Sequence, residues 1–129
     1  MAKKILIVDD EPDMSETLRR IFEPRGFQVK VCDNGLEVVD ALVEFKPDLL
    51  IMDVMLPGVD GYTLVSSITG SVDRELNTLP IIIISALDTS RCMFESFRQV
   101  KAFFSKPFEP QDFLEAVNTA IDTREFNAS

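Results

Sequence analysis

Four places in the chain carry groups that can do chemistry together. Asp9, Asp10 and Glu11 follow the apolar run Ile5-Leu6-Ile7-Val8, and Asp53 follows Leu49-Leu50-Ile51-Met52. Ser85 follows Ile81-Ile82-Ile83-Ile84, and Lys106 comes just after Ala102-Phe103-Phe104. Short continuous apolar runs of this kind are strands buried on both faces. In an open parallel sheet, ligands bind beyond the carboxyl ends of the strands. Three aspartates, a hydroxyl and an ammonium therefore converge at one end of the sheet. Two like charges ~4 Å apart repel by roughly 4 kcal/mol at an effective dielectric of 20, so Asp9, Asp10 and Asp53 are not gathered there for stability. A hard divalent cation resolves the repulsion, and magnesium prefers one or two carboxylates, retained waters and a phosphate oxygen. With Lys106 and Ser85 alongside, the set points to phosphoryl chemistry at a magnesium site.

Taken singly, each residue has a plainer reading. An Asp after a strand commonly caps a helix or makes a turn. Ser85 alone could be a cap, and Lys106 alone a solvated charge. A calcium loop is a rival for the first cluster, because Asp9, Glu11 and Asp13 alternate suitably, but Met14 stands where the EF-hand turn needs glycine. Neither the dinucleotide fingerprint nor the P-loop follows the first run.

The elements that must position these groups alternate along the chain. After the strand Ile5–Val8, Pro12 suits a first helical turn, and Met14, Leu18, Ile21 and Phe22 form an apolar face until Pro24 and Gly26 end it. Gln28–Cys32 reads as a second strand. Asp33-Asn34-Gly35 is a turn that can cap a helix whose apolar face is Val38, Val39, Leu42 and Val43. Pro47 precedes the third strand, Asp48–Met52, and the loop Pro57–Gly61 precedes a helix from Tyr62 to about Thr69. Ile81–Ile84 is the strongest strand signal. A weaker helix follows over Thr89–Val100, then a short strand over Ala102–Phe104, and a last helix from about Pro110 with Phe113, Val117 and Ile121 inward. Five strands alternating with five helices give a doubly wound α/β domain with a parallel sheet covered on both faces.

Composition narrows the function further. The 129 residues suit one domain. There is no histidine, which excludes a Ser-His-Asp or Cys-His catalytic arrangement within the chain. The net charge of −9 argues against direct nucleic-acid binding. Cys32 and Cys92 form no metal or redox pattern and read as two reduced thiols. No run approaches a membrane span and no signal peptide is visible, so the reading is a cytoplasmic protein without a membrane partner.

In these motifs the chain resembles the response-regulator receiver domain, the CheY-like fold of two-component signalling. The resemblance rests on Ile5 to Pro12 with Asp9-Asp10-Glu11, on Asp48 to Asp53, on Met55-Leu56-Pro57-Gly58-Val59-Asp60-Gly61, on Pro80 through Ser85-Ala86, and on Lys106-Pro107-Phe108. It implies a sheet in the order 2-1-3-4-5, a receiver domain over residues 1–124 and a C-terminal tail over 125–129. By the same resemblance Asp53 is the phosphoryl acceptor, and Asp9, Asp10, Asp53 and the backbone carbonyl of Met55 are ligands of Mg²⁺. Lys106 pairs with the phosphoryl oxygens, Ser85 hydrogen-bonds one of them, and a cis peptide at Pro107 fixes the direction of the lysine. Ser85 and Phe103 form the switch, although ordinary core packing explains Phe103 equally well. Met55 and Leu87 flank the line of water attack and cannot orient a water, which implies a long-lived phosphoryl group.

The implied partners are a histidine kinase or histidine phosphotransfer protein upstream, and a protein target on the face of the fourth helix, fifth strand and fifth helix downstream. Many relatives carry Gly-Ala-Asp-Asp before the last strand, where this chain has Gln99-Val100-Lys101-Ala102. That departure bears on the dimer which the acidic pair supports in DNA-binding relatives, and a monomer or weak dimer is expected. Arg91, Arg98 and Lys101 make the switch face locally basic, unless they are no more than a solvated face. The chain reads as a single-domain response regulator, with a receiver excised from a longer response regulator or hybrid kinase as an alternative. Two further alternatives are an interaction module independent of phosphorylation and an aspartyl phosphatase; the latter lacks a second Asp two residues after Asp53, where Met55 stands.

Overall fold

The computed structural model describes residues 3–54, 60–86 and 91–128, with side chains throughout except at Arg91 and residues 124–128. Five strands form one parallel sheet: β1 Lys4–Val8, β2 Gln28–Cys32, β3 Leu49–Asp53, β4 Ile81–Ser85 and β5 Val100–Ser105. Their order is β2-β1-β3-β4-β5, as expected from the resemblance. The helices are α1 Pro12–Phe22, α2 Val38–Phe45, α3 Gly61–Thr69, α4 Arg74–Asn77, α5 Arg91–Phe94 and α6 Pro110–Ala128.

Side-chain alternation along the strands builds two cores. Ile5 and Ile7 of β1, Leu49 and Ile51 of β3, and Ile82 and Ile84 of β4 face α1 and α6, where Leu18, Phe22, Phe113, Val117 and Ile121 close over them. Leu6, Val8, Leu50, Met52, Ile81 and Ile83 face the other way, toward Val38 and Leu42 of α2, Leu64, Val65 and Ile68 of α3, and Phe94 of α5. Every residue of β3 and β4 is buried, which is why these strands read as unbroken apolar runs. Each such side chain contributes roughly 1.5–3 kcal/mol by leaving water.

The helices depart from the sequence expectations in four places. The inward face of α2 is Val38, Ala41 and Leu42, with Phe45 partly buried, while Val39 and Val43 are 45% and 56% exposed. Asn34 caps the preceding turn through the amides of Leu36 and Glu37, and that phase turns the 38/41/42/45 stripe inward. The segment between α3 and β4 contains the extra helix α4, begun by the carboxylate of Asp73 accepting from the Glu75 amide at 2.9 Å. The weak helix expected over 89–100 is the four-residue α5 followed by turns. Gln99, just before β5, donates its side-chain amide to the carbonyls of Leu76 and Leu79, both at 2.8 Å. Residues 87–90 lie outside the described residues, and α6 continues through residues 125–128, which were expected to form a tail.

The start of α3 is held tightly against the end of β3. Asp60 caps it, its carboxylate accepting from the Tyr62 amide and the Thr63 hydroxyl. A Cβ on Gly61 would lie 2.9 Å from the Cα of Val54 and 3.0 Å from its carbonyl oxygen, so only glycine fits. Gly61→Ala is therefore expected to cost about 1–3 kcal/mol through overpacking, read as a lower urea midpoint with an unchanged slope; a midpoint equal to wild type would contradict this close approach.

Candidate phosphoacceptor and metal site

Register places the acidic groups side by side. Val8 of β1 pairs with Met52 of β3, so the next residues, Asp9 and Asp53, are neighbours at the carboxyl ends of adjacent strands. Asp53 in turn pairs with Ile84, which precedes Ser85. On the far side, Ser85 pairs with Ser105, and the Lys106 amide donates to the Ser85 carbonyl at 2.8 Å. The lysine thus enters the site on a backbone bond from the residue next to it. The Lys106–Pro107 peptide is cis.

Asp9, Asp53 and Ser85 are buried, while Asp10 and Glu11 are exposed. The ligand oxygens of Asp9, Asp10 and Asp53 all lie within 4.8 Å of one another. The Lys106 ammonium reaches Asp53 at 2.6 Å, Glu11 at 2.7 Å and Asp9 at 3.3 Å. Asp9 also accepts from the Glu11 amide at 2.8 Å, and its own amide donates to Cys32 at the end of β2. Burial pushes the Asp9 carboxyl above the usual carboxylate range, more than the Glu11 amide and Lys106 pull it down. For Lys106 burial acts downward, but the hydrogen bonds to Asp53 and Glu11 and the charges of Asp53 and Asp9 outweigh it and hold the ammonium well above the ordinary lysine value.

The donor set fits a hard divalent cation. All three groups offer oxygen, two of them from buried positions, and magnesium takes few carboxylates and keeps waters that exposed Asp10 leaves room for. The calcium-loop alternative does not hold: residues 12–22 form α1, and the Glu11 carboxylate is committed to Lys106. Met55, the expected carbonyl ligand, and Leu87 lie outside the described residues.

Phe103 is partly buried against the core on the α3 side of the sheet. It lines a groove of about 220 Å³ with Phe94, Glu95, Val100, Lys101 and Ala102. Beside it, Tyr62 of α3 contacts Phe94 and Phe97, with ring centroids 6.1 and 5.3 Å away. Arg98 and Lys101 are exposed, the side chain of Arg91 lies outside those described, and Met93 is half-exposed next to Cys92. Two features escaped the sequence reading. Glu11 binds Lys106 directly, and Phe108 stacks on Phe113 at 4.6 Å while touching Phe104 at 5.9 Å, which anchors the chain just beyond the lysine. The recurrence of phenylalanine around Lys106 was the available signal for the second.

The raised Asp9 value has a stability consequence in the metal-free protein. A carboxyl whose folded pKa lies above the unfolded value of 3.8 favours folding when protonated, so that contribution is present below 3.8 and lost as pH rises through the folded pKa. In buffer with a chelator, Asp9→Asn is expected to raise the melting temperature at neutral pH, with the gain shrinking as pH falls toward 3.8. A neutral-pH melting temperature below wild type would contradict it.

Comparison with known proteins matches this geometry to a family. The family model for the response regulator receiver domain covers residues 5–118. The chain is 33% identical over 124 residues to the chemotaxis protein CheY of Bacillus subtilis, covering 95% of this chain and 100% of that one. The response regulator TrrA of Thermotoga maritima, solved in complex with Mg(2+)-BeF, superposes with a TM-score of 0.79 at 26% identity, covering 92% of this chain and 98% of that one. The chain spans about half the length of several curated relatives, 54% in the case of the probable transcriptional regulator ycf29 of Pyropia yezoensis. With the family model matched across both strand-end aspartates, the serine and the lysine, the chain belongs to the response regulator receiver domains of two-component signalling.

Proposed function

We propose that Asp53 is the phosphoryl acceptor of this receiver domain. The observation that carries this reading is the buried Asp53 carboxylate held at 2.6 Å by Lys106, beside two further aspartates. The donor that the family suggests is a phosphohistidine of a histidine kinase or phosphotransfer protein, and that histidine lies outside these 129 residues. An Asp53 oxygen attacks phosphorus, the oxygen–phosphorus bond forms, and the phosphorus–nitrogen bond breaks with its electron pair left on the imidazole. Negative charge then gathers where two carboxylates already lie. Lys106 offsets part of it by donating to the phosphoryl oxygens, from a direction set by its backbone bond to Ser85. Asp9, Asp10, Asp53 and the Met55 carbonyl would hold Mg²⁺, whose charge would neutralise the rest. The Mg(2+)-BeF complex of TrrA supports this choice of ion.

The reaction is a signalling event rather than turnover. Ser85 is buried at the end of β4, paired in register with Ser105 two residues beyond Phe103. A hydroxyl drawn to the phosphoryl group shifts the loop after β4, and Phe103 follows into the space, biasing a pre-existing equilibrium. The consequence is read on the face made by α5, β5 and α6, where a downstream protein docks and where exposed Arg98 and Lys101 favour an acidic partner. The groove beside Phe103 and the Tyr62–Phe94–Phe97 ring contacts lie in the path of that shift.

Incubation with Mg²⁺ and a small phosphodonor, followed by intact mass, is expected to add one phosphoryl group to wild type and none to Asp53→Ala. A phosphoryl group retained by Asp53→Ala, or absent from wild type, would overturn the assignment.

A further inference from the structure

We propose that Glu11 is a positioning residue that keeps Lys106 at the mouth of the site when the two buried aspartates turn to a cation; this rests on the proposed function above. A lysine ammonium has three donors and no acceptor. Here all three point at different carboxylates, those of Asp53, Glu11 and Asp9. Asp9 and Asp53 belong to the cluster that fits a cation, and Glu11 does not. A cation entering between Asp9 and Asp53 therefore competes for two of the ammonium's three partners and leaves Glu11 uncontested.

The placement of Glu11 suits that task. Its amide is tied to Asp9 at 2.8 Å and its carbonyl accepts from the Ser15 amide at 3.1 Å, so its backbone is fixed where α1 begins. Its side chain is 59% exposed, outside the buried pair, yet only 2.7 Å from the ammonium. While the ammonium is shared among three carboxylates, the Glu11 contact is one of several. Once a cation neutralises Asp9 and Asp53, their hold on the ammonium weakens, and the Glu11 contact is worth more. An equilibrium shifts only by such a difference between states. Glu11 accordingly favours the cation-bound state and keeps the lysine within reach of an incoming phosphoryl group.

The test is a cycle of calorimetric Mg²⁺ titrations on wild type, Glu11→Gln, Lys106→Met and the double variant. Because an exposed ion pair is weak, Glu11→Gln is expected to raise the Mg²⁺ Kd by about two- to five-fold. Lys106→Met is expected to lower it by removing the competitor. In the Lys106→Met background the Glu11→Gln effect should vanish. An equal effect in both backgrounds would mean that Glu11 acts on the ion directly and would overturn the proposal, as would no effect in either. Far-UV circular dichroism that matches wild type at the titration temperature excludes loss of fold as the cause. A wild-type chain that takes up no Mg²⁺ would instead overturn the proposed function itself.

Discussion

Two carboxylates, Asp9 and Asp53, are buried side by side at the ends of adjacent strands, and one ammonium balances them. Removing the ammonium from such a cluster costs several kcal/mol, of order 3–5, because the buried carboxylates are then left uncompensated. Lys106 is therefore a counter-ion before it is anything else. Around it, the fold solves a placement problem. Groups from residues 9, 53, 85 and 106 must meet, and a parallel sheet brings successive strand ends to the same edge without bending any strand. The register of β1 on β3 sets the two aspartates adjacent, and the register of β4 on β5 sets Ser85 beside the lysine's strand.

The apolar cores are the counterpart of that charge. The middle strands are fully buried and supply the rigidity that holds polar groups to fixed positions at their ends. The phenylalanines at 104, 108 and 113 do the same locally, gripping the chain on either side of Lys106. Gln99 ties the connection between α3 and β4 to the turn before β5, so the polar stretch after α3 is pinned to the chain that leads into β5.

Much of this was legible in the sequence, for a physical reason. Strands buried on both faces leave no choice of residue but aliphatic ones, so Ile5–Val8 and Ile81–Ile84 announce themselves, and the polar residue that ends each run marks the site. What escaped was decided by tertiary contact. Ala41 contributes little hydrophobic signal, so the apolar pattern of α2 points to Val39 and Val43, which face outward. The local pattern after β4 suggests one longer helix, because nothing in it reveals that Gln99 reaches across to Leu76 and Leu79. Glu11 was grouped with its acidic neighbours, whereas its role follows from a lysine 95 residues away.

The domain is thus a charge cluster in waiting, with its own lysine holding the place that a cation and a phosphoryl group would take. The most direct measurement is a crystal structure of the chain with Mg²⁺ and beryllofluoride, a mimic of the phosphoryl group. The account predicts beryllium bonded to an Asp53 oxygen, Mg²⁺ on Asp9, Asp10 and Asp53, and the Lys106 ammonium moved from Asp53 onto a fluorine while still touching Glu11. A mimic bound elsewhere, or an ammonium still paired with Asp53 in the loaded site, would contradict it.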